Sequence, residues 1–134
     1  MEKVGLLKRK DLLYPELSYQ LIGILFEVSN ELGYGYQEKY YQRAINAKLK
    51  EINLSFKEQV PVKLEFQENE IGRYFLDFVI EDKIALEIKK EDKFLKTNID
   101  QLFAYLKATG LKLGILANFT KRGLQFKRVV NIHS

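Results

Sequence analysis

The 134-residue chain contains no cysteine and a single histidine, His133, next to its last residue. Without cysteine it cannot form disulfides, zinc–thiolate sites, iron–sulfur clusters or a cysteine nucleophile. A lone histidine at the end of the sequence also argues against histidine-based triads and polyhistidine metal sites. Carboxylates, lysines, tyrosines and a bound metal ion are therefore the groups left for catalysis.

The sequence also lacks a long hydrophobic run. No apolar stretch approaches the roughly 20 residues of a membrane-spanning helix, and the N-terminus has no signal-peptide pattern, so we expect a cytoplasmic protein. Hydrophobic residues make up 46% of the chain and charged residues 30%, which is ordinary for a globular protein. A chain of this length can bury one core, and we expect a single domain over residues 1–134.

Acidic residues are absent from Gln101 to the end of the sequence, where six lysines and arginines stand. That segment carries a charge of +6, and residues 1–100 carry −2, for a formal net charge of +4. Such asymmetry indicates a basic face that meets a polyanion such as nucleic acid. A solvated basic face without a partner explains the charge equally well.

Hydrophobic spacing of three and four residues predicts three helices, at about residues 16–32, 37–51 and 95–109. Gly33 and Gly110 stand where the first and third should end, since glycine tolerates the left-handed backbone of a helix C-terminus. The predicted buried stripe of the third helix consists of Leu95, Ile99, Leu102, Phe103 and Leu106.

Alternating apolar residues predict the strands. They are expected at residues 54–66, 75–80, 84–89 and 113–117, and residues 124–132 are compatible with a further one. Pro61 in the first strand indicates an edge position or a bulge, because proline cannot donate to a sheet ladder. The resulting order is two helices, three strands, a helix and a strand, which is typical of an α/β fold.

The segment from Asp77 to Lys89 is the most informative in the chain. In a strand, Glu87 and Lys89 project from the face opposite to three branched apolar side chains. Folding the segment as a hairpin brings Asp77 close to Glu87. Two carboxylates and a lysine on a rigid sheet are what a divalent-metal phosphodiesterase needs. Read alone, the same residues also fit surface ion pairs on a half-exposed sheet.

Several motifs carry a family resemblance. Gly35, Glu38 and Tyr41 have the spacing G-x-x-E-x-x-Y, and the chain is similar to the GxxExxY family, a branch of the PD-(D/E)XK nuclease-like superfamily. The resemblance continues through Gln59-Val60-Pro61-Val62, Ile71-Gly72-Arg73-Tyr74, Asp77, Glu87-Ile88-Lys89 and the segment 101–111. It implies a mixed sheet flanked by helices, with a restriction-endonuclease-like α-β-β-β-α-β core. It also implies a metal-dependent nuclease that hydrolyses phosphodiester bonds of DNA.

The same resemblance implies a role for each site residue. The catalytic set is Glu38, Asp77, Glu87 and Lys89, and Gln101 with Tyr105 positions the substrate. Mg²⁺ or Mn²⁺ would be held by Asp77, Glu87, the backbone carbonyl of Ile88, and Glu38. Without the family context, Glu38 fits a helix-dipole partner, and Gln101 with Tyr105 fits an amphipathic helix rim.

Three positions depart from the family pattern. Phe75 stands in place of an arginine, and Ser29 and Asn98 in place of histidines. These departures favour an alternative, in which the chain is a non-catalytic nucleic-acid- or protein-binding module that retains the nuclease fold.

The aromatic residues form two groups in the sequence. One is Tyr34, Tyr36, Tyr40 and Tyr41 near a helix start, and the other is Phe119 and Phe126, with Leu124, among basic residues. Exposed, such patches are typical of interfaces and predict a homodimer. Buried, they would simply close the core.

Overall fold

The computed structural model describes residues 13–132, which form three helices and one five-stranded sheet. The helices are α1 (Pro15–Leu32), α2 (Glu38–Glu51) and α3 (Lys96–Thr109). The strands are β1 (Phe56–Phe66), β2 (Asn69–Ile80), β3 (Ile84–Lys89), β4 (Leu113–Thr120) and β5 (Gly123–Val130). Among the helices of this part of the chain, none combines the length and apolarity that a membrane crossing requires.

The strands lie in the sheet in sequence order, β1-β2-β3-β4-β5. Only β3 and β4 are parallel, joined by the crossover helix α3, and the other neighbours are antiparallel. The mixed sheet and the α-β-β-β-α-β core expected from the sequence are confirmed. Pro61 lies in an edge strand, as expected, whereas the irregular pairing of β1 with β2 falls at Leu64 and Glu65 instead.

Helices cover both faces of the sheet, so the core has two parts. On one face, apolar side chains of α1 and α2 pack on the sheet, and the ring of Tyr41 stacks on that of Phe119 with centroids 4.2 Å apart. On the other face, Leu102, Tyr105 and Leu106 of α3 pack on it. Both faces of β3 are therefore buried, and the half-exposed sheet considered above is not what the chain forms.

The buried face of α3 differs from the predicted stripe at two residues. Phe103 is 39% exposed, whereas Tyr105 is only 7% exposed. The helix turns Tyr105 into the core because Tyr74 of β2 offers a ring to stack on, 3.9 Å away between centroids. Gly114 of β4 lets α3 approach closely, since a Cβ there would lie 3.0 Å from the side chain of Leu102.

Candidate active site

The sheet opens into a fork between β2 and β3. Their backbone pairing covers only the stretch from Phe78–Leu86 to Ile80–Ile84, next to the turn. Beyond it, the backbone N–H of Asp77 donates to Oε1 of Glu87 and that of Ile88 donates to Oδ2 of Asp77, both at 2.8 Å. Hydrogen bonds to two side-chain carboxylates thus replace the backbone hydrogen bonds of the ladder at the point where β2 diverges from β3.

The side-chain alternation of β2 breaks at the same point. Leu76 packs in the core under α3, whereas Phe78, two positions later, packs in the core under α1 and α2. In a regular strand the two would face the same side. The β1–β2 ladder skips Gln59 and Asp77, which stand between the pairs Glu58–Phe78 and Val60–Leu76, and Gln59 has a left-handed φ of 50°. This backbone conformation costs a non-glycine residue about 1–2 kcal/mol, and such strain tends to cluster at functional sites.

The break brings Tyr74 to the carboxylates. Its hydroxyl donates to Oε2 of Glu87 at 2.5 Å, and its ring stacks on Tyr105. Burial and the bond to Glu87 raise the pKa of Tyr74, so the hydroxyl keeps its proton and remains a donor. Both oxygens of Glu87 are therefore oriented, one by a backbone N–H and one by a tyrosine. Sequence analysis assigned no role to Tyr74, although it ends one of the family-like blocks.

Both carboxyl groups hold their protons more tightly than usual. Burial first, and then the charge of Asp77, raise the pKa of Glu87 to about 7, against the hydrogen bonds that it accepts and the charge of Lys89. Burial likewise raises the pKa of Asp77, and the N–H of Ile88 and the charge of Lys89 oppose it. Two buried carboxylates this close repel each other, which favours a bound cation or a shared proton.

Glu38 stands at the first residue of α2 and is exposed. Partial burial of its carboxyl group raises its pKa, the charge of Lys89 lowers it, and the charge of Asp77 raises it again. Glu38 therefore lies within electrostatic range of the fork, and in residues 13–132 it forms no hydrogen bond with Asp77 or Glu87. Across residues 13–132, no three histidine, cysteine or acidic side chains gather as a ready metal site.

Lys89 lies two residues beyond Glu87 on the same strand face and is half-buried. Its charge acts on Glu38, Asp77 and Glu87, although its ammonium forms no ion pair within 4 Å in the part of the chain that the structure describes. Opposite it on β4, buried Asn118 accepts the backbone N–H of Glu91 at 2.6 Å. This contact fixes the chain just after the E-x-K strand.

The two residues expected to position the substrate are placed differently from each other. Gln101 is exposed on α3, one turn before Tyr105. Tyr105 is buried behind Tyr74, and burial together with the charge of Glu87 raises its pKa. The structure thus links Tyr105 to the carboxylates through Tyr74, and leaves Gln101 at the surface.

The donor set of the fork fits a hard divalent cation. Mg²⁺ prefers oxygen ligands and is usually bound by one or two carboxylates, with waters and substrate phosphate completing its shell. Asp77 and Glu87 supply two such carboxylates, and each carboxylate has about four lone-pair sites, of which hydrogen bonds use only some. The absence of a third gathered ligand in residues 13–132 speaks against an all-protein cage, which Mg²⁺ does not require.

Comparison with known proteins shows the superfamily of the chain. Residues 15–129 match the PD-(D/E)XK nuclease superfamily, and the chain belongs to it. No curated protein matches the sequence.

Two solved structures are similar in fold. One is the crystal structure of SSO0001, with a TM-score of 0.55 and 20% identity over 70% of this chain and 50% of that one. The other is an alkaline exonuclease from Laribacter hongkongensis, with a TM-score of 0.51 and 14% identity over 69% of this chain and 54% of that one. The chain spans about half the length of each. At these sequence identities, the structural similarity shows a shared fold and nothing further.

Proposed function

We propose that the protein is a metal-dependent nuclease that hydrolyses phosphodiester bonds of DNA, and that it belongs to the GxxExxY branch of its superfamily. We also propose that residues 1–134 act as one nuclease-like domain. The observation that carries the proposal is the pairing of Asp77 with Glu87 in the sheet fork, beside Lys89. Membership of a nuclease superfamily and fold similarity to a protein described as an alkaline exonuclease support it.

The proposed ligands of Mg²⁺ or Mn²⁺ are the carboxylates of Asp77 and Glu87, the backbone carbonyl of Ile88 and, on substrate binding, Glu38. An ion held there stabilises negative charge on the phosphate and lowers the pKa of a bound water. The burial and mutual repulsion of the two carboxylates favour this occupancy, because a cation relieves both.

The remaining proposed residues orient the reacting groups or neutralise the charge of the phosphate. Lys89 places a positive charge beside the scissile phosphate and orients the attacking water. Tyr74 holds the carboxylate of Glu87 in one orientation through its 2.5 Å hydrogen bond, and Tyr105 holds the ring of Tyr74 by stacking. Gln101, exposed on α3, is suited to contact the phosphate backbone of the substrate.

The test is a cleavage assay on single-stranded DNA, double-stranded DNA and RNA in Mg²⁺ or Mn²⁺. We expect cleavage of DNA by the wild type and none by Asp77→Asn, a variant that keeps an acceptor for the N–H of Ile88. Cleavage that survives Asp77→Asn would point to a contaminating enzyme. No cleavage of any substrate would contradict the proposal.

A second candidate function is a nucleic-acid- or protein-binding module without turnover. It is favoured by Phe75, which is 48% exposed two residues before Asp77 where the family pattern has an arginine. This function predicts binding to DNA that weakens steeply with salt, because contacts to phosphate release counterions, and that changes neither with Mg²⁺ nor with Glu87→Gln.

A further inference from the structure

Three exposed tyrosines lie together where α1 passes into α2. Tyr34, Tyr36 and Tyr40 are 43%, 45% and 42% exposed, and we call them the tyrosine ledge. Tyr41, the fourth residue of that group in the sequence, differs because it is buried in the core and its ring stacks on that of Phe119. The ledge is thus the part of that aromatic set that needs another partner.

The core holds the ledge in place. The ring of Tyr36 packs edge-on against Tyr40 and against buried Tyr41, with centroids 6.4 Å and 6.1 Å apart. The hydroxyl of Tyr41 in turn donates to the carbonyl of Gly33 at 2.6 Å. Gly33 and Gly35 have φ values of 78° and 107°, which glycine adopts at no steric cost. The ledge therefore offers aromatic surfaces on a fixed support.

Two cationic side chains flank one ring of the ledge, that of Tyr40. The ammonium of Lys39 lies 5.2 Å, and the guanidinium of Arg43 5.6 Å, from the ring centre of Tyr40. Helix α2, which begins at Glu38 between Tyr36 and Tyr40, contacts β3, the strand that carries Glu87 and Lys89. A strand whose phosphate reaches the fork would thus pass beside aromatic faces flanked by cations.

We propose that the tyrosine ledge stacks unpaired nucleobases of the substrate, so that the nuclease acts on single-stranded DNA or on a frayed strand end. This inference rests on the proposed function and names its substrate class. Any nucleobase presents a π-face to a tyrosine, whereas a duplex buries those faces inside the helix. The ammonium and the guanidinium beside the ring of Tyr40 suit a polyanion, and lysine is depleted at the cores of protein interfaces, although tyrosine and arginine are enriched there.

The experiment measures binding without cleavage, in EDTA, by fluorescence anisotropy of labelled DNA. The probes are a single strand, the same strand with a central abasic tract, and a blunt duplex. The variant is Tyr36→Ala/Tyr40→Ala, and the matched control is Tyr19→Ala, because Tyr19 is 81% exposed near the other end of α1. Stacking contributes about 1–3 kcal/mol per base, so we expect the variant to bind the normal strand about 10-fold or more weakly.

The abasic strand separates stacking from charge. Wild type should prefer the normal strand to the abasic one by about the same factor, and the double variant should show no such preference. Tyr19→Ala should match wild type on all three probes. Equal wild-type affinity for normal and abasic strands would overturn the inference. An equal loss on both strands in the double variant would also overturn it.

Two further measurements keep the outcomes distinct. The chain has no tryptophan, so tyrosine emission can be followed directly, and single-strand binding should quench it in wild type more than in the double variant. If Asp77→Asn keeps the strand preference, a failure to cleave DNA concerns the proposed activity and leaves the ledge intact. Light scattering tests self-association. If wild type is a dimer, the double variant is a monomer and the affinity for the single strand is unchanged, the ledge serves self-association and the inference is overturned.

Discussion

Asp77 and Glu87 face each other across the fork, and the carboxylate of each accepts a hydrogen bond from the backbone of the opposite strand. Oε1 of Glu87 accepts the N–H of Asp77, and Oδ2 of Asp77 accepts the N–H of Ile88, each at 2.8 Å. Residues assigned to metal binding therefore also satisfy backbone groups where the β2–β3 ladder stops. Substitutions at the pair act on stability as well as on chemistry, and the two effects can be separated by the choice of residue.

Asp77→Asn should fold nearly as stably as wild type, and Asp77→Ala should not. Asparagine keeps an acceptor for the N–H of Ile88, whereas alanine leaves that half-buried donor unpaired, at a cost of about 1–3 kcal/mol. Urea unfolding measures the difference. Both variants should lack nuclease activity. Equal free energies of unfolding for Asn and Ala would show that the side-chain bond contributes nothing to stability.

The metal-free protein should lose stability as pH rises. Because the pKa of Glu87 is raised in the folded state, from 4.5 to about 7, its contribution to stability is fully present below pH 4.5 and is lost as pH rises through 7. At about 1.36 kcal/mol per unit, this difference corresponds to roughly 3 kcal/mol. Unfolding in EDTA between pH 4.5 and 8 should show a smaller fall in Glu87→Gln than in wild type, because the variant has no proton to lose at this position and only the raised pKa of Asp77 remains in the pair.

The stabilisation of the protein by Mg²⁺ should increase with pH, whereas the stability of the metal-free protein should decrease. Its carboxylate ligands must be deprotonated, so added Mg²⁺ should raise the melting temperature more at pH 8 than at pH 6. A melting temperature that ignores Mg²⁺ at both pH values would contradict metal binding by the pair.

Tyr74→Phe should weaken metal binding most at lower pH. The hydroxyl of Tyr74 lowers the pKa of Glu87, and its loss should raise that pKa further, since a hydrogen bond to a charged group contributes roughly 1.5–3 kcal/mol. The ring still stacks on Tyr105. Calorimetric titration with Mn²⁺ should therefore show a deficit at pH 6.5 that narrows at pH 8.5, and a deficit of constant size would indicate a purely structural role.

Two glycine substitutions should change stability in opposite directions. In Gly114→Ala the new methyl lies 3.0 Å from Leu102, and such overpacking costs about 1–3 kcal/mol. In Gly23→Ala, inside α1, nothing lies within 4 Å of the new methyl, and alanine should stabilise the helix by up to about 1 kcal/mol. Thermal unfolding of both variants checks this, and a stabilising Gly114→Ala would contradict the packing of α3 on β4.

Regular periodicity predicted most of the fold. Helix boundaries from spacing fall within one residue of those observed, and the period-two reading of β3 places Glu87 correctly with buried Ala85 on one face and Ile88 on the other. These predictions succeeded because burial on a helix or strand repeats with the backbone. The same rule fails where the backbone is irregular.

Tyr74 shows that failure most clearly. It stands three residues before Asp77, an odd separation that places the two on opposite faces of a regular strand. Only the break in β2 alternation, opposite the left-handed Gln59, turns Tyr74 to the carboxylates, and sequence spacing cannot reveal it. The burial of Tyr105 depends on its stacking against Tyr74 in turn, so the spacing of α3 alone cannot indicate it.

A crystal soaked in Mn²⁺ tests the central claim most directly, because the anomalous signal locates the ion without knowledge of the substrate. The expected result is one peak bonded to carboxylate oxygens of both Asp77 and Glu87, and no peak there in Asp77→Asn. An empty fork at high Mn²⁺ concentration, or a peak bound elsewhere while the Asp77–Glu87 hydrogen bonds stay intact, would contradict the assignment of this pair as a metal-dependent active site.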